Sequence, residues 1–496
     1  MKNVFMFSLI CCVLSFYPLF ALHIDDLTVN ETLDKSQVAA LFVDAESGKE
    51  LFSYNSDAMW IPASNAKLFT TSAALYYLGE DYTYKTTVYT NGVIEDGILE
   101  GDLIIKGTGD PSISARFFPD SDDPRIVFFN WSEELSEKGV SVITGDIIAD
   151  DRHFDDQYFH PAWYPRSRGA WYQAEVAALS FNDNCVDLRF TGGSSPGETA
   201  RFSLSPPTRY VEINNHVTTT ASNEWGPSFQ RNDRANYINA TGTVGLNRQR
   251  TGYASVYHPP LYFVTVLAET LDESGIEIQG SPLSIRDIEN TFKYEQGLTT
   301  LIEYTSPPLS ELIYVINQRS QNLFAELLLK TLGKEVLGEG SFEKGGQVID
   351  LFLKNNDLYH PDFVMVDGSG LSNRHRVSPE MVVNLLRYQR TRDDWNVFFD
   401  SLPQGGRTGS LRSRFRNSQI QRELGQYVYG KTGYINQVVT LSGVITGHET
   451  EDIVYSIFLN NFSCSAGEAR IFADQVAVKV LNHIIDTQST RASHVQ

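Results

Sequence analysis

Residues 61–79 read Ile61-Pro62-Ala63-Ser64-Asn65-Ala66-Lys67-Leu68-Phe69-Thr70-Thr71-Ser72-Ala73-Ala74-Leu75-Tyr76-Tyr77-Leu78-Gly79. The apolar stretch opening at Ser64 and running to Leu78 is long enough for a helix, and Gly79 is placed to end it. Apolar residues lie on nearly every side of it, which predicts a helix buried almost all round. Three residues along a helix share a face, so Lys67 would hold its nitrogen beside the Ser64 oxygen. Immediately upstream, Val38 to Val43, a turn over Asp44-Ala45-Glu46-Ser47-Gly48-Lys49, and Glu50 to Tyr54 read as a hairpin, with Gly48 able to take the positive φ of a tight turn.

Downstream the character changes. From about Tyr82 to Asp287 the chain runs in short alternating segments with frequent Gly, Asn and Pro, and it reads as mostly β. Helical patterns return with Leu309, Leu312, Ile313 and Ile316 and again from Leu323 to Leu332, so that two helices flank Ser320. Tyr427 to Gly430, Val438 to Ile445 and Asp452 to Leu459 then read as adjacent antiparallel strands, followed by a terminal helix from about Gly467 to Ile485.

A chain of 496 residues is too long for one ordinary core, and 42% hydrophobic residues are enough for several. The balance of 40 Lys+Arg against 61 Asp+Glu, a net charge of −21, argues against nucleic acid and allows at most peripheral membrane contact. Any anionic substrate must therefore meet locally placed cations. Residues 1–21, with Lys2 followed by an apolar run from Val4 to Phe20 and then Ala21, read as an export signal, which implies a periplasmic location. Its removal leaves Cys185 and Cys464, expected as unpaired, mostly buried thiols. Asp151, His153, Asp155, Asp156 and His160 cluster in sequence, but at spacings that match no helical metal-ligand set, so neither metal nor another cofactor is expected.

A catalytic serine needs a base within hydrogen-bond reach, and a lysine serves if it is neutral. Burial and a second cation both lower a lysine pKa, and Lys431 is the candidate second cation. Ser-x-x-Lys alone says little, since about two are expected by chance in a chain this long. The second copy, Ser341-Phe342-Glu343-Lys344, lies in a polar Gly-rich stretch and is read as having no buried helix start. Ser-x-Asn also occurs twice, as Ser320-Gln321-Asn322 between helices and as Ser180-Phe181-Asn182 in the β-rich region. Lys431-Thr432-Gly433 follows a strand-like run. A serine-lysine helix start, a loop between helices and a Lys-Thr-Gly strand, in that order, form the trio shared by penicillin-binding proteins and class A β-lactamases.

On these residues, together with Asp367-Gly368-Ser369-Gly370-Leu371-Ser372, Ala325-Glu326, Gly107-Thr108-Gly109-Asp110-Pro111 and Gly145-Asp146-Ile147, the chain resembles the class C low-molecular-mass penicillin-binding proteins. That family acts as D-alanyl-D-alanine carboxypeptidases and endopeptidases. The resemblance implies an α/β (α+β) transpeptidase-like domain, an antiparallel five-stranded sheet flanked by helices, from residues 22–82 and 286–496. Two nested β-rich insertions are expected, the outer from 83–165 and 245–285 and the inner from 166–244. It further implies Ser64 as nucleophile, Lys67 as base, Ser320 as proton relay and Asn322 as a substrate and lysine holder. The oxyanion would sit between the N–H groups of Ser64 and Tyr434. Substrate would be bound by Lys431, Thr432 and Gly433, with Ser369, Gly370 and Leu371 bordering the groove. The substrates implied are peptidoglycan stem peptides ending in D-Ala-D-Ala and their cross-links, and the inhibitors β-lactams. Gln321 stands where the family often has Asp, and Tyr434 where smaller hydroxyl residues are common. A β-lactamase, or a catalytically weak peptidoglycan-binding protein, are the alternatives.

Overall fold

A computed structural model describes residues 35–118, 121–222, 224–288, 297–448 and 450–495. The export signal expected at 1–21 lies outside the described residues. A five-stranded antiparallel sheet is assembled from both ends of the chain in the order Val428–Ile435, Val438–Ile445, Ile453–Asn460, Val38–Asp44, Glu50–Tyr54. Its middle strands are buried at every position, which is why they read as continuous apolar runs instead of alternating ones. Successive side chains point to opposite faces. Ala39, Leu41 and Val43 enter one core with the helices Ala66–Leu78, Asn322–Leu337, Phe342–Asn355 and Pro379–Arg390, whereas Val38, Ala40 and Phe42 enter another under the terminal helix Ala466–Val495. Each large apolar side chain so buried contributes roughly 1.5–3 kcal/mol. No described helix is long and apolar enough to cross a membrane.

The helix Ala66–Leu78, which follows Ser64, is buried continuously from Ala66 to Leu75, and Gly79 caps it at φ 81°. Its N-terminal turn, Ala63–Asn65, is fastened to the sheet. Thr440 Oγ1 donates to Pro62 O and to Asn65 Oδ1, both at 2.8 Å, Asn65 Nδ2 donates to Ser442 Oγ, and Asn460 Oδ1 accepts from Ile61 N–H at 2.9 Å.

The β-rich insertions carry more helix than the sequence reading gave them. The outer one has a mixed five-stranded sheet, Pro282–Ser284, Ile147–Asp150, Leu103–Lys106, Lys85–Thr90, Thr299–Thr305. Against it pack the helices Ile126–Glu137 and Pro259–Glu273, which contribute Phe128, Trp131, Tyr262 and Phe263 to its core. The second helix opens on Pro259-Pro260 after a left-handed His258. Prolines that break helices in their interior fit the first turn, where the missing N–H has no partner to lose. The inner insertion stacks the three-stranded sheet Arg201–Ser205, Cys185–Thr191, Gln249–Ser255 against four strands around Tyr237–Gly245. Strand pairing also runs past the expected boundaries. Gln249–Ser255, assigned to the outer insertion by a boundary at 245, pairs with Cys185–Thr191 of the inner one; Thr299–Thr305, beyond the boundary at 286, pairs with Lys85–Thr90. Partners so distant in sequence leave no mark in either strand's own pattern.

Ser341 corrects another expectation. It does start a helix, Phe342–Asn355, but as its cap, with its hydroxyl accepting the Lys344 N–H at 3.2 Å while Lys344 Nζ turns away to Gln347. Cys185 is buried and Cys464 half-buried, and neither is in a disulfide.

Candidate active site

The Ser64 turn at the start of helix Ala66–Leu78, the turn between helices Leu309–Arg319 and Asn322–Leu337, and the edge strand Val428–Ile435 converge on one cleft. Lys67 is its hub. Fully buried, its Nζ lies 3.0 Å from Ser64 Oγ and 2.7 Å from both Asn322 Oδ1 and the Ser369 carbonyl. Burial pushes the Lys67 amine down to about 7, against the opposing pull of Glu326 and Asp367. Lys431 is also fully buried, with Nζ 2.7 Å from Ser320 Oγ and 2.8 Å from Thr432 O. Burial, and then the charge of Lys67, hold it well below the ordinary lysine value. Burial is the leading cause for each lysine, and the expected effect of Lys431 on Lys67 is not found: Lys67 depresses Lys431, whereas burial alone lowers Lys67.

Ser320, at φ 57° and ψ 40°, is left-handed, and this turns its hydroxyl from the end of one helix toward the strand. Asn322 donates its Nδ2 to Tyr172 O of the insertion at 2.8 Å, which leaves its Oδ1 to accept from Lys67. Thr432 Oγ1 donates to Ser410 Oγ at 2.7 Å, a neighbour that no sequence signal identified.

The edge strand explains the backbone part of the site. Val428 O accepts from Gly405 N–H at 2.8 Å and Gly430 N–H donates to Pro403 O at 2.9 Å, so the even-numbered residues turn their backbone groups to the outer edge. The same parity points Tyr434 N–H outward. Gly433 beside it faces the Ser64 turn: a Cβ there would stand 2.1 Å from Thr440 Oγ1 and 3.0 Å from Ser64 N, so only glycine lets strand and turn approach this closely. Tyr434 itself is 48% exposed, with the Arg470 guanidinium 4.6 Å from its ring centre.

Behind Lys67 stand two buried carboxylates. Glu326, one helical turn after Asn322, accepts the N–H groups of Gly368 and Ser369 at 2.8 and 2.9 Å, which fixes the Ser369 carbonyl on Lys67. Burial, reinforced by Asp367, raises its carboxyl to about 8. Asp367 accepts from the N–H groups of Gly370, Leu371 and Ser372 and from Trp163 Nε1, and lies 2.9 Å from His375 Nε2. Burial pushes Asp367 up, but His375, Trp163 and the amides more than offset it and hold the carboxyl well below the usual range. Gly370, at φ 81°, lies so close to the Ala63 carbonyl that a Cβ would overlap it. Ser369 therefore lies against Lys67 and Gly370 against the Ser64 turn. Glu326 and Asp367 belong to the sequence pattern without a task of their own; an acidic residue at helical spacing from Asn322 within the otherwise apolar run Leu323–Leu329 was the available signal.

The acidic-histidine cluster of the insertion is taken up by cations of the fold: Asp151 pairs with Arg286 at 2.8 Å and Asp155 with Lys330 at 2.7 Å. Among the described residues no group of His, Cys, Asp and Glu has the arrangement of a metal site.

Known proteins share this architecture. The chain is 28% identical over 473 residues to a D-alanyl-D-alanine carboxypeptidase of Actinomadura sp. (strain R39), covering 93% of this chain and 84% of that one. It is 25% identical over 459 residues to the D-alanyl-D-alanine carboxypeptidase DacB of Haemophilus influenzae, covering 91% of each. Penicillin binding protein 4 (dacB) from Haemophilus influenzae superposes with a TM-score of 0.78 at 22% identity, over 93% of this chain and 99% of that one. The model of one family matches residues 20–480, nearly the whole described chain. The chain belongs to the D-Ala-D-Ala carboxypeptidase 3 (S13) family and is an enzyme of that class.

Proposed function

We propose that the cleft cleaves the terminal D-Ala-D-Ala bond of peptidoglycan stem peptides, and the equivalent bond of their cross-links, through an acyl-enzyme on Ser64. The observation that carries the reading is the buried Lys67, hydrogen-bonded to Ser64 Oγ at 3.0 Å and lowered to about 7. Neutral Lys67 takes the serine proton as Ser64 Oγ attacks the carbonyl carbon of the penultimate D-alanine. The developing oxyanion is received by the N–H groups of Ser64 and Tyr434, preorganised donors whose worth is greatest in a site shielded from water. The proton held by Lys67 is relayed through Ser320, bonded to Lys431, to the leaving amine, the C–N bond breaks, and D-alanine or the released cross-link partner departs with Lys67 neutral again. Water then hydrolyses the ester and regenerates Ser64.

Lys431 and Thr432 receive the substrate's terminal carboxylate, with Gly433 leaving the strand edge free for the peptide to pair along it. A carboxylate arriving beside buried Lys431 favours its charged form, so substrate binding and lysine protonation assist each other. Lys431, charged once the carboxylate is bound, allows an acidic protein, of net charge −21, to accept an anionic peptide. β-Lactams enter as carbonyl analogues and acylate Ser64. The substrate lies outside the cytoplasmic membrane, in keeping with the export signal read at 1–21 and hence a periplasmic enzyme.

The test is to incubate wild type and Ser64→Ala with a fluorescent penicillin and with a cross-linked muropeptide. Labelling and cleavage by wild type, both lost in Ser64→Ala, is the expected result. A wild-type protein that neither labels nor cleaves overturns the reading.

A further inference from the structure

We propose that Asp183, at the centre of a left-handed turn in the inner insertion, is a positioning residue for the reaction, holding the turn that carries Ser320 and Asn322. The inference rests on the roles given to those two residues above. Asn182, Asp183 and Asn184 have φ of 47°, 55° and 52° in succession. Residues with a Cβ visit this region singly, because the Cβ crowds the following carbonyl; Asn and Asp tolerate it best, and three together persist only when their surroundings over-determine them. All three are buried. The flanking side chains hold the turn from within: Asn182 Nδ2 donates to Cys185 O at 3.1 Å, and Asn184 Nδ2 to Glu175 O at 2.8 Å while its Oδ1 accepts Phe181 N–H at 3.1 Å. Glu175 is itself fixed by a buried ion pair with Arg231 at 2.7 Å.

The central side chain reaches the other way. Asp183 Oδ2 accepts from Gln321 Nε2 at 2.7 Å, a contact across 138 residues of sequence from the insertion to the peptidase domain. Gln321 is the extended residue between left-handed Ser320 and the first residue of the following helix, Asn322. Its direction sets that of both neighbours: Ser320 Oγ toward Lys431, and Asn322 Oδ1 toward Lys67. Tyr172 O, from the same insertion, takes the other end of the Asn322 amide at 2.8 Å. Two left-handed turns thus interlock through one hydrogen bond, and the second Ser-x-Asn of the sequence, Ser180-Phe181-Asn182, leads into the turn that supports the first. An amide at 321 is what this partner requires, since a carboxylate there would meet Asp183 with like charge.

Asp183→Ala, Asp183→Asn and Gln321→Leu are compared with wild type and Ser64→Ala. Single-turnover acylation by a fluorescent penicillin separates the noncovalent dissociation constant from the acylation rate, and kcat, KM on a soluble D-Ala-D-Ala peptide and Tm are followed beside it. Asp183→Ala and Gln321→Leu are expected to slow acylation and kcat by about ten- to a hundredfold, the worth of a hydrogen bond to a charged acceptor. The noncovalent constant, KM and Tm change little. Asp183→Asn, whose amide oxygen still accepts from Gln321, recovers most of the rate. Wild-type acylation in folded Asp183→Ala overturns the proposal, as does an equal loss in Asp183→Asn that follows a fall in Tm. Should Asp183→Ala not fold, Gln321→Leu decides, because it leaves the left-handed turn intact: slow acylation supports the proposal and wild-type acylation overturns it. A wild type that is not labelled, or a labelled Ser64→Ala, strikes the proposed reaction and not the role of Asp183.

Discussion

The two walls of the cleft are built by different physics. On the sheet side, the Ser64 turn and the strand Val428–Ile435 are held by a backbone ladder and by neutral pairs, Thr440 to Pro62 and Asn65, and Asn460 to Ile61. On the helical side, the Ser320-Gln321-Asn322 turn and the Asp367–Ser372 loop hang on buried carboxylates, Asp183, Glu326 and Asp367, that collect donors from distant parts of the chain. Neutral bonds fix where the serine stands. Buried acidic side chains fix the geometry around Lys67, and two of them, Glu326 and Asp367, act on its proton. Lys67 joins the walls, rising from the sheet-side helix into acceptors on the helical side.

Removing the joint gives the largest effect. Lys67→Met is expected to lower acylation by about a thousandfold or more, within the range for losing a general base. In wild type the active form is the neutral amine, so with Lys67 at about 7 the acylation rate should rise with pH through that value and level above it; a flat profile between pH 6 and 8 separates the lysine from base catalysis. The helical wall is broken next by Asp367→Ala, which strands Trp163, His375 and three loop amides without their acceptor. A loss of about 3–5 kcal/mol in urea unfolding is expected, as for breaking a buried charged pair. The Asp367 carboxyl is lowered in the folded state, so its contribution is present above its unfolded value near 4 and fades as pH falls through the folded one. The gap between wild type and variant should therefore persist at neutral pH and close in acid. A gap that widens in acid would contradict the assignment.

The same division decides what could be read from sequence. The sheet wall was legible: the hairpin, the helix Ala66–Leu78 and the strands Val438–Ile445 and Ile453–Asn460 each announce themselves through a local apolar run, closed for the helix by Gly79. The Ser-x-x-Lys spacing is local too. The helical wall was legible only as motifs. That Tyr172 and Asp183 reach Asn322 and Gln321 from the insertion, or that Ser410 meets Thr432, depends on contacts between segments far apart in the chain. The helix Ile126–Glu137 escaped notice among short strands rich in Gly and Asn, and the pairing of Thr299–Thr305 with Lys85–Thr90 has no local signature.

Smaller changes sharpen the sheet side. Thr440→Val keeps the shape and removes the hydroxyl that ties Pro62 O and Asn65 Oδ1 to the strand. Loss of about 1 kcal/mol for each of the two bonds predicts roughly a thirtyfold slower acylation with no shift of the pH midpoint, since no charge near Lys67 changes. A moved midpoint would show that the sheet wall also governs the lysine proton and would erase the contrast. The mildest test is Arg470→Ala. Its guanidinium lies 4.6 Å from the Tyr434 ring centre at the rim of the cleft, and so steadies the residue whose N–H is proposed to face the oxyanion. A cation–π contact of this exposed kind is worth about 0.5–1 kcal/mol, which predicts a two- to fivefold loss in acylation rate. Because the contact acts on backbone position and not on substrate, the loss should fall on kcat and leave KM for a soluble peptide unchanged. A change confined to KM would instead make Arg470 a rim contact for the peptide, and Tyr434 would owe its position to the strand alone.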